Sequence, residues 1–134
     1  MKFFFDNQIS YRLAEAIDRL ADFDGDQVVS LRTKFPQNAH DLTWIPKLAA
    51  EGDWIIVSGD CKIKQKPAER KVFIDAKLTT FFLAKGWINA GFWQQSALLI
   101  RWWPKIREQA QLAEAGTMVE IPFRQSGRFK LLSV

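Results

Sequence analysis

Three aspartates stand where a parallel sheet would bring carboxylates together. Asp6 directly follows the apolar run Phe3-Phe4-Phe5, and Asp60 follows a second run, Trp54 to Ser58, after a single glycine. Because parallel strands end at the same edge of a sheet, both side chains are expected in the crevice where α/β proteins bind ligands. Asp41 begins a predicted helix between the two in sequence, and it could face the same edge.

Converging carboxylates favour a divalent cation. They repel one another, and one of them would hold a proton near neutral pH unless a positive charge balances them. Mg²⁺ or Mn²⁺ prefers oxygen ligands and is commonly held by one or two carboxylates together with substrate phosphate. Such an ion supports in-line phosphoryl displacement by lowering the pKa of a water. The alternative for Asp41 is structural, because aspartate at a helix start often serves only as a cap.

Polar and basic side chains near these acids suit a phosphate-bearing substrate. Lys62 and Lys64 alternate in the loop after the second run, and Arg70 follows them. An extended loop would place both lysines on one side, where they could contact nucleic-acid phosphates, although a solvated loop is the alternative. Arg12, early in the first predicted helix, could do the same or could pair with an acid. Ser58 could bind a metal water or a phosphate, or be an ordinary strand-end serine.

Composition limits the class of protein. The chain has 134 residues, 48% of them apolar, which suits one globular domain over residues 1–134 without a linker. Its net charge of +4 and its pI near 9.4 favour polyanionic partners only mildly. No apolar run is long enough to span a membrane. The lone Cys61 excludes an internal disulfide, which suits the reducing cytoplasm, and with the lone His40 it could make a zinc site only together with two or more carboxylates.

The order of the predicted elements is typical of an α/β fold. Apolar runs alternate with amphipathic segments, which predicts a single three-layer domain with a mostly parallel central sheet and right-handed crossovers. Asp41 or Thr43 would cap the second major helix, and residues 33–39 are predicted as a loop. A long helical region follows residue 91, and Pro104 should kink or split it. Residues 118–134 are predicted to form a β-hairpin appended to an edge.

Tryptophans concentrate in one quarter of the chain. Trp87, Trp93, Trp102 and Trp103 stand there together with Phe92. The helical spacing of several of them favours core packing. The apolar residues exceed what one helical stripe needs, so a small exposed remainder could contact another protein chain.

Several short sequence motifs resemble those of a known family. They are Asp6-Asn7-Gln8 after an N-terminal strand, Asp41 at a helix start, and Trp54-Ile-Ile-Val-Ser-Gly-Asp60. Together they look like PIN-like nuclease domains, the fold of VapC-type toxins in bacterial toxin–antitoxin pairs. The later words Phe81-Phe-Leu-Ala-Lys-Gly-Trp87 and Arg101-Trp-Trp-Pro-Lys-Ile106 are similar to a compact VapC-type subgroup, so the resemblance covers roughly residues 1–110.

The resemblance implies a metal-dependent endoribonuclease that hydrolyses RNA phosphodiester bonds and leaves 5′-phosphate and 3′-hydroxyl ends. It implies Asp6, Asp41 and Asp60 as catalytic ligands of Mg²⁺ or Mn²⁺. Glu69 and Asp75, on the helix after Asp60, are the candidates for a fourth acidic ligand, Glu69 first because it is nearer the start of that helix, and Asn7 would contact the substrate. The resemblance also implies a cytoplasmic toxin whose partners are RNA and a cognate antitoxin protein, with a homodimer as a further option.

Two alternatives come from other functional classes. A phosphoacceptor signalling domain would be phosphorylated on Asp60, with Thr79 or Thr80 and Lys85 assisting and Asp6 binding Mg²⁺. The second alternative is a PIN-like module that has lost cleavage and only binds RNA or protein. A stable acyl phosphate on Asp60 would identify the first, and RNA binding with weak Mn²⁺ binding would identify the second.

Overall fold

A six-stranded sheet forms in the part of the chain that the structure describes. The computed structural model covers residues 1–36, 38–59 and 65–132, and for Asp41 it describes the backbone only. The strand order is β2-β1-β3-β4-β5-β6, and all pairs are parallel except β5 with β6. The predicted α/β fold with a mostly parallel sheet is therefore confirmed. The strands are β1 (Lys2–Phe5), β2 (Gln27–Ser30), β3 (Trp54–Ser58), β4 (Thr80–Leu83), β5 (Met118–Ile121) and β6 (Lys130–Leu131).

Five α-helices lie among the described residues, together with 3-10 turns at Asp22–Asp24 and Lys85–Asn89. Ser10 caps the first helix by accepting a hydrogen bond from the backbone N–H of Arg12. None of the described helices is both long and apolar enough to cross a membrane. The helices are α1 (Tyr11–Ala21), α2 (Leu31–Lys34), α3 (Asp41–Glu51), α4 (Pro67–Ala76) and α5 (Phe92–Leu112).

Strand β1 divides the core into two layers. Its three phenylalanines have no exposed surface, and successive side chains point to opposite faces of the sheet. Phe3 packs against Trp103 of α5 with ring centroids 4.7 Å apart, and Phe4 packs against Trp44 of α3 at 5.0 Å. Helices α1 and α5 cover the first face, and α3 and α4 cover the second. Burial on both faces explains why β1 is continuously apolar rather than alternating.

Three local predictions differ from the structure. Residues 31–34 form the short helix α2, within a stretch partly predicted as loop. The cap of α3 is His40, whose carbonyl accepts the N–H groups of Thr43 and Trp44, so neither Asp41 nor Thr43 is the cap. Helix α5 is one helix of 21 residues that contains Pro104 instead of being split there. Its buried face offsets the hydrogen bond that the proline cannot make.

The crossover from β4 to β5 differs in handedness from the crossover from β3 to β4. From β3 to β4 and from β4 to β5 the chain moves in the same direction across the sheet. Helix α4 packs on the Phe4 face, whereas α5 packs on the opposite face, with Trp103 against Phe3 and Phe5. Two crossovers in one direction on opposite faces have opposite hands. One connection therefore departs from the right-handed rule that the sequence analysis applied throughout.

The C-terminal hairpin forms, but its first strand belongs to the sheet. Strand β5 pairs in parallel with β4, and β6 pairs antiparallel with β5. Val119 and Ile121 are fully buried in the α1/α5 layer. The hairpin is thus an extension of the central sheet, where the sequence predicted an edge appendage.

A buried acid joins the two ends of the fold. Asp26, 5% exposed, precedes β2 and accepts hydrogen bonds from Arg107 of α5 and from the amino group of Met1 at 2.8 Å. Burial opposes ionisation of Asp26, but these two cations outweigh it and hold the pKa of the carboxyl below its ordinary value. The ionised form of Asp26 therefore stabilises the fold.

We expect Asp26→Asn to lower the free energy of unfolding by about 2–3 kcal/mol at neutral pH, because it leaves two cations without their buried acceptor. Since the folded pKa is lowered, the stabilisation is complete above the unfolded value of about 3.9 and is lost as pH falls through the folded value. Urea unfolding at stepped pH measures this. Asp24→Asn, at an exposed acid 3.9 Å from Arg107, is the matched control and should have little effect. A wild-type advantage that persisted at low pH would contradict the assignment.

Candidate active site

The crevice between β1 and β3 lies where the direction of the chain across the sheet reverses. The chain passes from β1 to β2 on one side and then returns past β1 to β3 on the other. In doubly wound sheets, ligands bind outside the carboxyl ends of the strands at such a switch point. Phe5 pairs with Val57 there, and the N–H of Asp6 donates to the Val57 carbonyl at 3.2 Å. The residues that follow β1 and β3 therefore lie side by side.

Asp6 is a buried carboxylate whose orientation is fixed. The residue is 6% exposed. Its Oδ1 accepts hydrogen bonds from the backbone N–H groups of Gln8 at 3.1 Å and Gly59 at 3.2 Å, and its Oδ2 accepts one from the Ser58 hydroxyl. Bonds to an ionised acceptor are stronger than bonds between neutral groups. Because these donors come from both strands of the crevice, they set the direction in which the carboxylate points.

Ser58 positions Asp6. The serine ends β3, is only 1% exposed, and donates its hydroxyl to Asp6. The sequence offered Ser58 as a contact to a metal water or a phosphate, or as an ordinary strand-end residue. Its burial and its bond to Asp6 make it a support for the neighbouring acid, and a contact of Ser58 with a metal water or a phosphate stays a prediction.

The other two predicted acids are only partly placed. Asp41 begins α3, the second of the two helices between β2 and β3. Asp60, together with Lys62 and Lys64, lies outside the described residues. Among the described residues, no group of three or more His, Cys, Asp or Glu side chains could hold a metal.

The remaining predicted residues occupy different positions around this edge. Glu69 stands in the first turn of α4, with its carboxylate 3.6 Å from the Lys66 ammonium group, and Arg70 follows it half-buried. Asn7 is exposed and lines a cavity beside Asp6. Arg12 is exposed in the first turn of α1.

A cavity of about 280 Å³ opens beside Asp6 and contains residues that the sequence analysis missed. Arg32 of α2 and Tyr11 of α1 line it, and the Arg32 guanidinium carbon lies 4.0 Å from the centre of the Tyr11 ring. The available signal was positional, because Arg32 follows the carboxyl end of β2 just as Asp6 follows β1. The cavity is lined by Asp6, Asn7, Ile9, Ser10, Tyr11, Ser30 and Arg32.

The threonines of the phosphoacceptor alternative lie away from this edge. Thr80 begins β4 and pairs with Ile56, two residues before the carboxyl end of β3. It is fully buried, and its hydroxyl donates to the Leu78 carbonyl at 3.1 Å. Thr79 precedes the strand and donates to the Glu114 carbonyl at 3.4 Å. Neither hydroxyl is directed to Asp6.

The donor chemistry beside Asp6 fits a hard divalent cation. Among the described residues that line the cavity, the side-chain atoms able to coordinate a metal are oxygens, from Asp6, Asn7, Ser10, Tyr11 and Ser30, and Arg32 adds a cation that is not a ligand. Oxygen ligands of this kind suit Mg²⁺ and Mn²⁺.

Comparison with known proteins identifies one similarity. A family model described as "PIN like domain" matches residues 1–85, which contain β1 to β4 and all three predicted acids. No curated protein and no solved structure matches the chain.

We expect Gly59→Ala to disturb the support of Asp6. A Cβ at residue 59 would lie 2.7 Å from the Cβ of Gln8 and 3.3 Å from its backbone carbonyl, so the β1–α1 loop would have to move. The free energy of unfolding should fall by about 1–3 kcal/mol, as measured by urea unfolding.

The matched control for Gly59 is Gly91→Ala. A Cβ at residue 91 would meet no atom within 4 Å, so only the smaller cost of a changed helix cap, below about 1 kcal/mol, is expected. If both variants lost the same free energy of unfolding, the close contact between Gln8 and Gly59 would not be the cause of the loss.

Proposed function

Because the chain belongs to the PIN-like domain family, whose members are generally nucleases, we propose that it is a metal-dependent endoribonuclease. The single observation that carries the proposal is Asp6: a buried carboxylate, fixed by Ser58 and Gly59, at the switch point of the sheet. Burial alone does not distinguish Asp6, since Asp26 is also buried, but Asp6 lies outside the carboxyl end of β1 at the switch point, where ligands bind.

We propose Asp6, Asp41 and Asp60 as the residues that would hold Mg²⁺ or Mn²⁺, with Glu69 as a candidate fourth ligand. When bound, such an ion lowers the pKa of a water and offsets the charge that develops on the phosphoryl oxygens. The oxygen-rich lining of the cavity supports this choice of ion.

In the proposed reaction, the chain fixes the phosphodiester for in-line hydrolysis. Ser58, Gly59 and Gln8 hold the Asp6 carboxylate, so that the acid need not reorganise as charge develops. A water oxygen bonds to phosphorus, the bond from phosphorus to the 3′-oxygen breaks, and the water proton ends on that oxygen. The products carry 5′-phosphate and 3′-hydroxyl ends. Asn7, Arg12, Lys62, Lys64 and Arg70 are the proposed contacts to the RNA strand.

In the cell, we propose that the protein acts as a toxin whose activity a cognate antitoxin restrains. Exposed apolar side chains support a protein partner: Trp93 is 82% exposed, Ile88 is 55% exposed and Phe92 is 42% exposed. They lie near the start of α5, on the carboxyl side of the sheet. Trp87, Trp102 and Trp103 are buried, as core packing predicts. The same apolar patch would also suit a homodimer.

We expect Asp6→Asn and Asp60→Asn each to reduce Mg²⁺- or Mn²⁺-dependent RNA cleavage by about 100-fold or more, because each removes a charged ligand. Cleavage of single-stranded RNA, followed by gel electrophoresis with end analysis, measures this. Asp75→Asn is the matched control. Asp75 was the second candidate for a fourth ligand, but it is exposed in the last turn of α4, at the end of the helix that leads to the amino end of β4, and it pairs with Lys71 at 2.9 Å. Cleavage by both site variants at the wild-type rate would overturn the proposal.

A second expected outcome concerns metal binding without catalysis. Mn²⁺ should stabilise the wild-type chain against urea by about 2.7 kcal/mol at a concentration 100 times its dissociation constant, because it binds the folded state. Asp6→Asn should lose most of this gain, whereas Asp75→Asn should keep it. An equal gain in all three proteins would show that the ion binds elsewhere.

A further inference from the structure

The end of β2 delivers a cation to the same cavity that contains Asp6. Phe5 pairs with Ser30, so the residues after them leave the sheet side by side, and α2 begins there. Arg32 is the second residue of α2 and lines the cavity with Asp6. One wall of the cavity is therefore anionic and another is cationic.

Arg32 is held by an aromatic ring. Its guanidinium carbon lies 4.0 Å from the centroid of Tyr11, and that of Arg12 lies 5.4 Å from the same ring. Ser10 caps α1 and so fixes the start of the helix that carries Tyr11. A guanidinium over an aromatic ring is attracted to its face and loses conformational freedom before any ligand arrives.

The Arg32 guanidinium contacts an aromatic ring but no acid among the described residues. Among the residues that the structure describes, Arg32 makes no ion pair, whereas Arg107 and Lys34 each pair with an acid. The Asp6 carboxylate is bound by hydroxyl and backbone donors instead of by this guanidinium. Arg32 is exposed at the cavity and retains N–H donors in a planar fork that matches phosphate oxygens.

We propose that Arg32 is a substrate-binding residue. It binds a backbone phosphate of the RNA strand next to the phosphodiester that is cleaved at Asp6. The identity of the strand rests on the proposed function. The cavity volume of about 280 Å³ limits the occupant to a small part of one strand. Phosphate is favoured over a stacked base because the Tyr11 ring already contacts guanidinium groups, so the cavity offers cationic donors instead of an open aromatic face.

The test is binding of a fluorescein-labelled single-stranded RNA of mixed sequence to the full chain, measured by anisotropy in EDTA over a range of salt concentrations. Arg32→Gln should weaken binding about 10-fold and reduce the slope of log K against log salt by about 0.7, the loss of one phosphate contact. Arg32→Lys should keep the slope while binding more weakly than wild type, because lysine retains the charge but not the fork. Arg19→Ala, which removes an exposed charge from α1, should change neither value.

The outcomes separate this inference from the nuclease proposal. An unchanged affinity and slope in Arg32→Gln would overturn the inference even if the wild type cleaves RNA. An equal loss in Arg19→Ala would also overturn it, because the effect would then be one of net charge. Arg32-dependent RNA binding without metal-dependent cleavage would support the inference and contradict the proposed nuclease function. If cleavage occurs, Arg32→Gln should raise KM with kcat nearly unchanged. A wild type that neither binds nor cleaves RNA would overturn both.

Discussion

The pairing of β1 with β2 and β3 at once is the constraint on which the site depends. Phe3 and Phe5 must enter the layer under α1 and α5, while Phe4 must enter the layer under α3 and α4. A shift of one residue would exchange these faces, so the apolar pattern fixes the register strongly. The same register sets Asp6 beside Ser58 and Gly59. Burial of the three phenylalanine rings of β1 therefore fixes the position of the Asp6 carboxylate that follows them.

Much of the fold could be predicted because its signals are local. The apolar run of β3 forms a strand at the predicted residues, and α3 begins at Asp41 as predicted. Helix α2 could not be foreseen, since four residues are too few to show a helical period. The continuity of α5 through Pro104 also depends on tertiary structure. Its face with Leu99, Trp102 and Ile106 is buried, and that burial outweighs a local preference of about 3 kcal/mol against proline.

The candidate site was predictable in part for a related reason. An acid after a buried strand is visible in the sequence, and Asp6 lies at the predicted edge. Its supports were not visible, because the bonds from Gly59 and Ser58 exist only once β1 and β3 are paired. Arg32 was not predicted because a single arginine after β2 has no distinctive sequence pattern, although the carboxyl ends of parallel strands all lie at one edge of the sheet. The positions of Asp41 and Asp60 as metal ligands stay predictions.

The placement of α5 has a consequence for where the protein can be divided. The family match stops at residue 85, shortly after β4, yet Trp103 lies against Phe3 and Phe5 of the first strand, and Arg107 bonds to Asp26. A fragment cut at that boundary would leave two phenylalanines of the central strand, and the edge of β4, without cover. Such a fragment would be prone to aggregate. The limit of family similarity in this chain is therefore not a limit of independent folding.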